Sequence, residues 1–123
     1  MLFRSIRVCV TDDLEAARQW MRRELTGYAI VDAYHAYFTA CGFGADATAC
    51  REAWQQGDRA GATQCISNAM VHAMAAIGSA EACRTQLAAF VDAGVTLPIV
   101  FPFSYEADPV PSVLHTLQAI TAT

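Results

Sequence analysis

Apolar residues along this chain recur at two spacings, and the changes between them mark out its elements. Ile6 to Val10 (IRVCV) is a short β-branched run that reads as a strand. Thr11-Asp12-Asp13 breaks it, and Asp12 with Glu15 three residues later makes a capping-box-like helix start. The helix that follows carries Leu14, Ala17, Met21, Leu25 and Tyr28 on one side. Arg18, Arg22 and Arg23 fall mostly on the other, and Gly27 ends or bends the helix. A second amphipathic helix covers about 28–41, striped at the 3.6-residue period by Ile30, Val31, Tyr34, Tyr37, Phe38 and Cys41. Gly42-Phe43-Gly44 stops it. Asp46 caps a shorter helix through Trp54 that turns Cys50, Ala53 and Trp54 inward, and Gln56-Gly57 closes it. Asp58 then begins a long helical run to about Ile77, with Ala62, Ile66, Ala69, Met70, Ala73, Met74 and Ile77 on its stripe.

The stretch from Gly78 to Phe103 is the clearest unit. Ser79 can accept a hydrogen bond from an open backbone N–H of the next helix, and Glu81 adds negative charge where the helix dipole is positive. Cys83, Leu87, Phe90 and Val91 share one face, and Gly94 follows as a left-handed C-terminal residue. Val95 to Phe101 is apolar without alternation, which suits a parallel strand covered on both faces. The chain then turns through Glu106-Ala107-Asp108-Pro109 into a last helix carrying Val113, Leu114, Leu117 and Ile120.

This order is a strand, four helical segments, a strand and a helix, so the expected class is helix-dominated α/β. Two strands more than eighty residues apart imply a parallel crossover rather than a hairpin. Two parallel strands alone leave unpaired edges and uncovered faces. The pattern therefore describes the end of a larger α/β architecture, with further strands absent from this chain or supplied by another subunit.

Composition narrows the function classes. The chain has 123 residues, 54% of them hydrophobic and 16% charged, enough for one packed domain. The net charge is −4, lysine is absent and no basic cluster exceeds Arg22-Arg23, which argues against nucleic acid and anionic membrane as partners. Five cysteines stand at 9, 41, 50, 65 and 83, with no C-x-x-C pair. That odd count, and a start (MLFRSIRVCV) interrupted by two arginines, point to reduced thiols and a cytoplasmic location. Three scattered histidines at 35, 72 and 115 make no metal set. No serine sits in a nucleophile elbow, and Gly42-x-Gly44 follows no strand, so acyl transfer and phosphate-loop chemistry find no motif.

Three collinear blocks carry a likeness to a known family: VCVTDDLEAARQWMRRELTGY, YAIVDAYHAYFTACGF and AIGSAEACRTQLAAFVDAGVTLPIVFPF. Over roughly residues 6–120 the chain resembles the C-terminal part of the bacterial luciferase-like monooxygenases, particularly their deazaflavin-dependent branch. Ala80 and Asp32 stand where that family commonly has proline. The resemblance implies a single partial domain over 1–123, comprising the last two strands of a (β/α)8 barrel with a helical insertion. It implies FMN or coenzyme F-420 as cofactor, a small-molecule substrate, and a site at the C-terminal ends of the strands. Most of the family's cofactor-binding elements lie on earlier strands, so the chain alone is expected to be inactive.

Strand-end logic gives Thr11 and Asp12 after the first strand, and Pro102, Phe103 and Ser104 after the second, as candidates. Thr11 and Phe103 are the expected cofactor-binding residues and Tyr34 the expected substrate-pocket residue; no catalytic residue is assigned. A capping role accounts for Asp12 and packing for Phe103 more simply than a site role. His35 falls off the apolar stripe and reads as exposed, His72 as a partly buried helix residue, and His115 as having no special role. A second reading is a non-enzymatic helical module that forms a homodimer through its exposed strands. A third, a small-ligand-binding helical domain, draws on Tyr34, Tyr37 and Trp54.

Overall fold

The computed structural model describes residues 3–95 and 97–121. It contains β1 (Phe3–Val10), α1 (Leu14–Ala29), α2 (Asp32–Ala40), α3 (Gly44–Gln55), α4 (Arg59–Gln64) and α5 (Asn68–Met74). β2 (Ala75–Gly78), α6 (Ala80–Asp92), β3 (Leu97–Pro102) and α7 (Val110–Thr121) follow. The result is helix-dominated α/β. The chain divides into two compact units, with the boundaries inside α1 after Arg18 and inside α5 before His72.

The first unit holds a three-stranded parallel sheet in the order β2-β1-β3, with α6 and α7. Arg7–Val10 of β1 pair with Ala75–Gly78, and Phe3–Val8 pair with Leu97–Pro102. Ile6, Val8 and Val10 alternate onto one face, where Ala76 and Cys83 join them in a buried core. Ala80, Leu87 and Phe90 of α6, Val100 of β3, and Ala119 and Ile120 of α7 pack against that core. β3 pairing ends at Val8, which would leave the Val10 N–H without a ladder acceptor. Buried Thr116 supplies one, its Oγ1 accepting at 3.1 Å.

The strand β2 corrects the expectation of a helix running to Ile77. Ala75 and Ala76 are fully buried, and their small side chains let the segment lie against β1. Tertiary pairing overrides the helical period that Ala73, Met74 and Ile77 continue. Gly78 fixes the end of the strand: its φ of +144° is one L side chains rarely adopt, and its carbonyl accepts from the Thr11 N–H at 2.9 Å. The α4–α5 run is also broken earlier, at Cys65–Ser67, where the Ser67 Oγ accepts from the Met70 N–H to start α5.

β3 differs from expectation in its cover. Val100 faces the core, but Ile99 is 42% and Phe101 53% exposed, so the strand is not covered on both faces. The Arg7 guanidinium lies 4.9 Å from the Phe101 ring centre on that side. The order β2-β1-β3 also departs from a barrel, in which strands consecutive in the chain are neighbours. Here β2 and β3 flank β1.

Both sheet margins are blunted. The Phe103 N–H donates to the Val8 carbonyl at 3.0 Å, so by alternation Pro98, Val100 and Pro102 turn their backbone groups to the outer margin of β3. Two of these three residues carry no N–H. At the other margin the Gln86 side-chain amide donates to the Ala75 carbonyl at 2.9 Å and to the His72 carbonyl at 2.6 Å.

The second unit is entirely helical, from residue 19 to residue 71. α1 passes through Gly27 to Ala29, so Tyr28 ends the first helix instead of opening the second. Met21 and Leu25 are buried as expected, but so is Arg22, which sequence spacing puts on the polar side. Its Nε donates to the Ile66 carbonyl at 3.2 Å, and its terminal nitrogens reach Gln19 and Asn68. Most of the α2 stripe is exposed: Val31, Tyr34, Tyr37 and Cys41 face solvent, and Phe38 is the residue it buries. Asp46 does not cap its own helix, which already begins at Gly44. Its carboxylate accepts from both the backbone N–H and the hydroxyl of Ser67. Arg51 donates to the Ile30 carbonyl and pairs with Asp32. Asp58, where a helical run was expected to begin, caps α4, accepting from the Gly61 N–H at 2.8 Å.

Candidate functional site

The C-terminal ends of the strands open into a cleft of about 770 Å³ in the sheet unit. Its walls come from three connections. Val10 ends β1 and Thr11, Asp12 and Leu14 follow it, Ser79 follows β2, and Tyr105, Glu106, Pro111, Ser112 and His115 follow β3. This volume lies in the range of small-molecule sites.

Each wall is set by local chemistry. Thr11 extends the β1–β2 ladder by one bond, which fixes its side chain at the strand end. The Thr11 Oγ1 accepts from the Asp13 N–H at 3.1 Å and shares a hydrogen bond with the Tyr105 hydroxyl at 2.8 Å. Asp13, not Asp12, caps α1, its Oδ1 accepting from the Ala16 N–H at 3.2 Å. The cap expected of Asp12 therefore sits one residue later, and Asp12 belongs to the cleft wall. Ser79 caps α6 as expected, its Oγ accepting from the Ala82 N–H at 3.1 Å. Buried Ser104 accepts from the Glu106 N–H at 3.1 Å, tightening the turn that presents Tyr105 and Glu106.

The structure brings Thr11 and Asp12 together with Tyr105 and His115. It does not bring Phe103 to the cleft: that ring is 3% exposed, beyond the last residue of β3, and takes a packing position. Tyr34 belongs to the helical unit, its ring 4.8 Å from Tyr28 and 6.5 Å from Phe38. His35 is half-buried and shares a 3.0 Å hydrogen bond with Thr48. His72 is exposed, contrary to the partly buried position expected. Tyr105 and Ser112 went unremarked in the sequence, and His115, expected to have no special role, stands in the cleft wall. Their one signal was their place after the second apolar strand, where strand-end logic stopped at Ser104.

Carboxylates set the sign of the cleft's charge. Asp12 and Glu106 line it, and no Lys or Arg does among the described residues. Beneath it Cys9 is fully buried, and burial pushes its thiol up to about 11, with Cys83 and then Glu106 adding to the shift. Burial alone pushes the Cys83 thiol up to about 11. Its Sγ donates to the Cys9 carbonyl at 3.7 Å. Such thiols stay protonated and act as small packing groups, not nucleophiles. All five cysteines are unpaired. Among the described residues no group of three His, Cys, Asp or Glu could hold a metal ion, and no helix is long and apolar enough to cross a membrane.

A parallel α/β sheet with a cleft at its carboxyl ends places the chain in a class: α/β proteins, in which ligands commonly bind outside the C-terminal strand ends. The chain matches the luciferase-like monooxygenase family model over residues 2–97. It belongs to that family. No curated protein and no solved structure matches it.

That family's flavin-type cofactors can be tested against the cleft. Its volume, hydroxyls and apolar Val10, Leu14 and Pro111 suit a neutral organic group. Two carboxylates without a cation do not suit a phosphate ester, so the phosphorylated end of FMN or the anionic tail of F-420 does not fit here.

Proposed function

We propose that this chain supplies strand–helix steps of a luciferase-like oxidoreductase, with elements outside β1, β2 and β3 completing the site for FMN or F-420. The family match over residues 2–97 carries this reading, and the cleft at the carboxyl ends of the parallel strands supports it. Thr11 and Tyr105, joined hydroxyl to hydroxyl, are the pair proposed to orient a bound group. Asp12 and His115 are the groups beside them able to exchange a proton. Phe103 serves as packing under the strand end. Tyr34 offers an exposed aromatic surface to a substrate. The unpaired thiols suit a reducing compartment such as the cytoplasm. The redox chemistry of such enzymes belongs to the cofactor, and this chain alone is proposed to be inactive.

Fluorescence titration of the full chain with FMN and with F-420 tests the proposal. The expected result is weak binding without saturation at one equivalent, and no turnover. Tight stoichiometric binding would overturn the view that the site is completed from elsewhere. The strand-pairing homodimer gains no support from the sheet margins, since proline and Gln86 occupy them.

A further inference from the structure

Barrels of the (β/α)8 type frequently place a phosphate site in the loops after their last two strands, with a helix N-terminus pointing at the anion. In this chain the loops after β2 and β3 line one cleft, and the start of α6 stands in its wall through Ser79. The chemistry there is of the wrong sign for phosphate. Asp12 enters from the β1 loop and Glu106 from the β3 loop. Glu81 occupies the first turn of α6, where it offsets the positive end of the helix. One of the open N–H groups of that turn is taken from within, the Ala82 N–H donating to the Ser79 Oγ, and the Cys83 N–H makes the first intrahelical bond to the Ser79 carbonyl at 2.9 Å. The Arg84 guanidinium, one turn along, donates to the Ala119 carbonyl at 2.7 Å.

We infer that the cleft at the carboxyl end of β1 excludes phosphate and takes an uncharged, hydroxyl-bearing portion of its ligand, so that the phosphorylated end of a flavin or deazaflavin is held elsewhere. The four hydroxyls of Thr11, Ser79, Tyr105 and Ser112 and the apolar Val10, Leu14 and Pro111 are what such a portion meets. The inference rests on the cleft being the ligand end of the sheet. Its charge preference can be measured without any cofactor.

The experiment titrates isotope-labelled full chain with inorganic phosphate and with pyrophosphate, following the backbone amides of Thr11, Ser79 and Ser112 by NMR. No saturable shift is expected at these amides, and saturable shifts there would overturn the inference. The same titration on Asp12→Asn/Glu106→Lys, a surface change away from the core, is expected to gain binding by about tenfold or more, because like-charge juxtaposition is relieved and reversed. A variant that gains nothing would show that carboxylates are not what excludes the anion, and would overturn the stated cause. A parallel comparison of riboflavin with FMN expects riboflavin to bind at least as tightly. FMN binding more tightly, with shifts at the same amides, overturns the proposal. Failure of both flavins to bind would overturn the assignment of an uncharged flavin portion to the cleft, while the phosphate titration separately decides whether the cleft excludes the anion.

Discussion

The two units solve the problem of holding elements together in opposite ways. In the sheet unit the backbone does most of it. β1 exchanges ladder bonds with a strand on each side, and its alternate side chains feed one apolar core. In the helical unit each helix makes most of its backbone bonds within itself, so order between helices depends on side chains. Arg22 reaching Ile66 and Asn68, Asp46 gripping Ser67, and Arg51 on Ile30 and Asp32 are those ties. The difference teaches where a polar substitution is felt. In the sheet unit it is costly when it enters the core, and in the helical unit when it removes a tie.

Truncation should expose that contrast most sharply. Ile6→Ala removes a side chain 1% exposed at the centre of the sheet core, and is expected to lose about 2–5 kcal/mol. Urea unfolding measures it, and a loss under about 1 kcal/mol would break the picture of an apolar-held sheet. Next comes Arg22→Met, which keeps much of the buried stem but leaves the Ile66 carbonyl without its donor. About 1–3 kcal/mol is expected, with amide exchange rising in α4 and α5 before the sheet. Equal protection loss in β1 would blur the distinction between units. The smallest effect is a pH slope. The Cys9 and Cys83 thiols stand near 11 when folded against an ordinary 9.0. The folded chain therefore keeps protons that the unfolded chain releases above pH 9. Stability from this source is full below pH 9 and is lost as pH rises towards 11. Thermal melts should fall across that window, and Cys9→Ala should make the fall shallower.

What the sequence made legible was local. β1 announced itself by β-branched residues, α6 by Ser79 and Glu81, the end of α6 by Gly94, and α4 by Asp58. Each depends on neighbours within about four positions. The rest depended on partners far along the chain. Ala75-Ala76-Ile77 carries no strand signal of its own, and only β1 alongside makes it one. Asp46 looked like a cap because its partner Ser67 lies 21 positions away. Asp12 and Asp13 are equivalent by type, and the hydrogen bond from the Asp13 N–H to Thr11 is what decides which of them turns to the helix. The cleft was half legible for the same reason. Thr11 was visible at a strand end, whereas Tyr105 and His115 became members only when β3 was laid beside β1.

The proline-edged margin of β3 has a consequence in the language of polymers. A parallel sheet with exposed Ile99 and Phe101 is a monomer unit ready for chain growth, since each added strand would cover apolar surface and renew the same edge. Growth needs a donor at every second residue, and β3 offers Val100 alone between Pro98 and Pro102. The prolines act as chain terminators, so the sheet can leave one apolar face open without becoming the seed of a fibril.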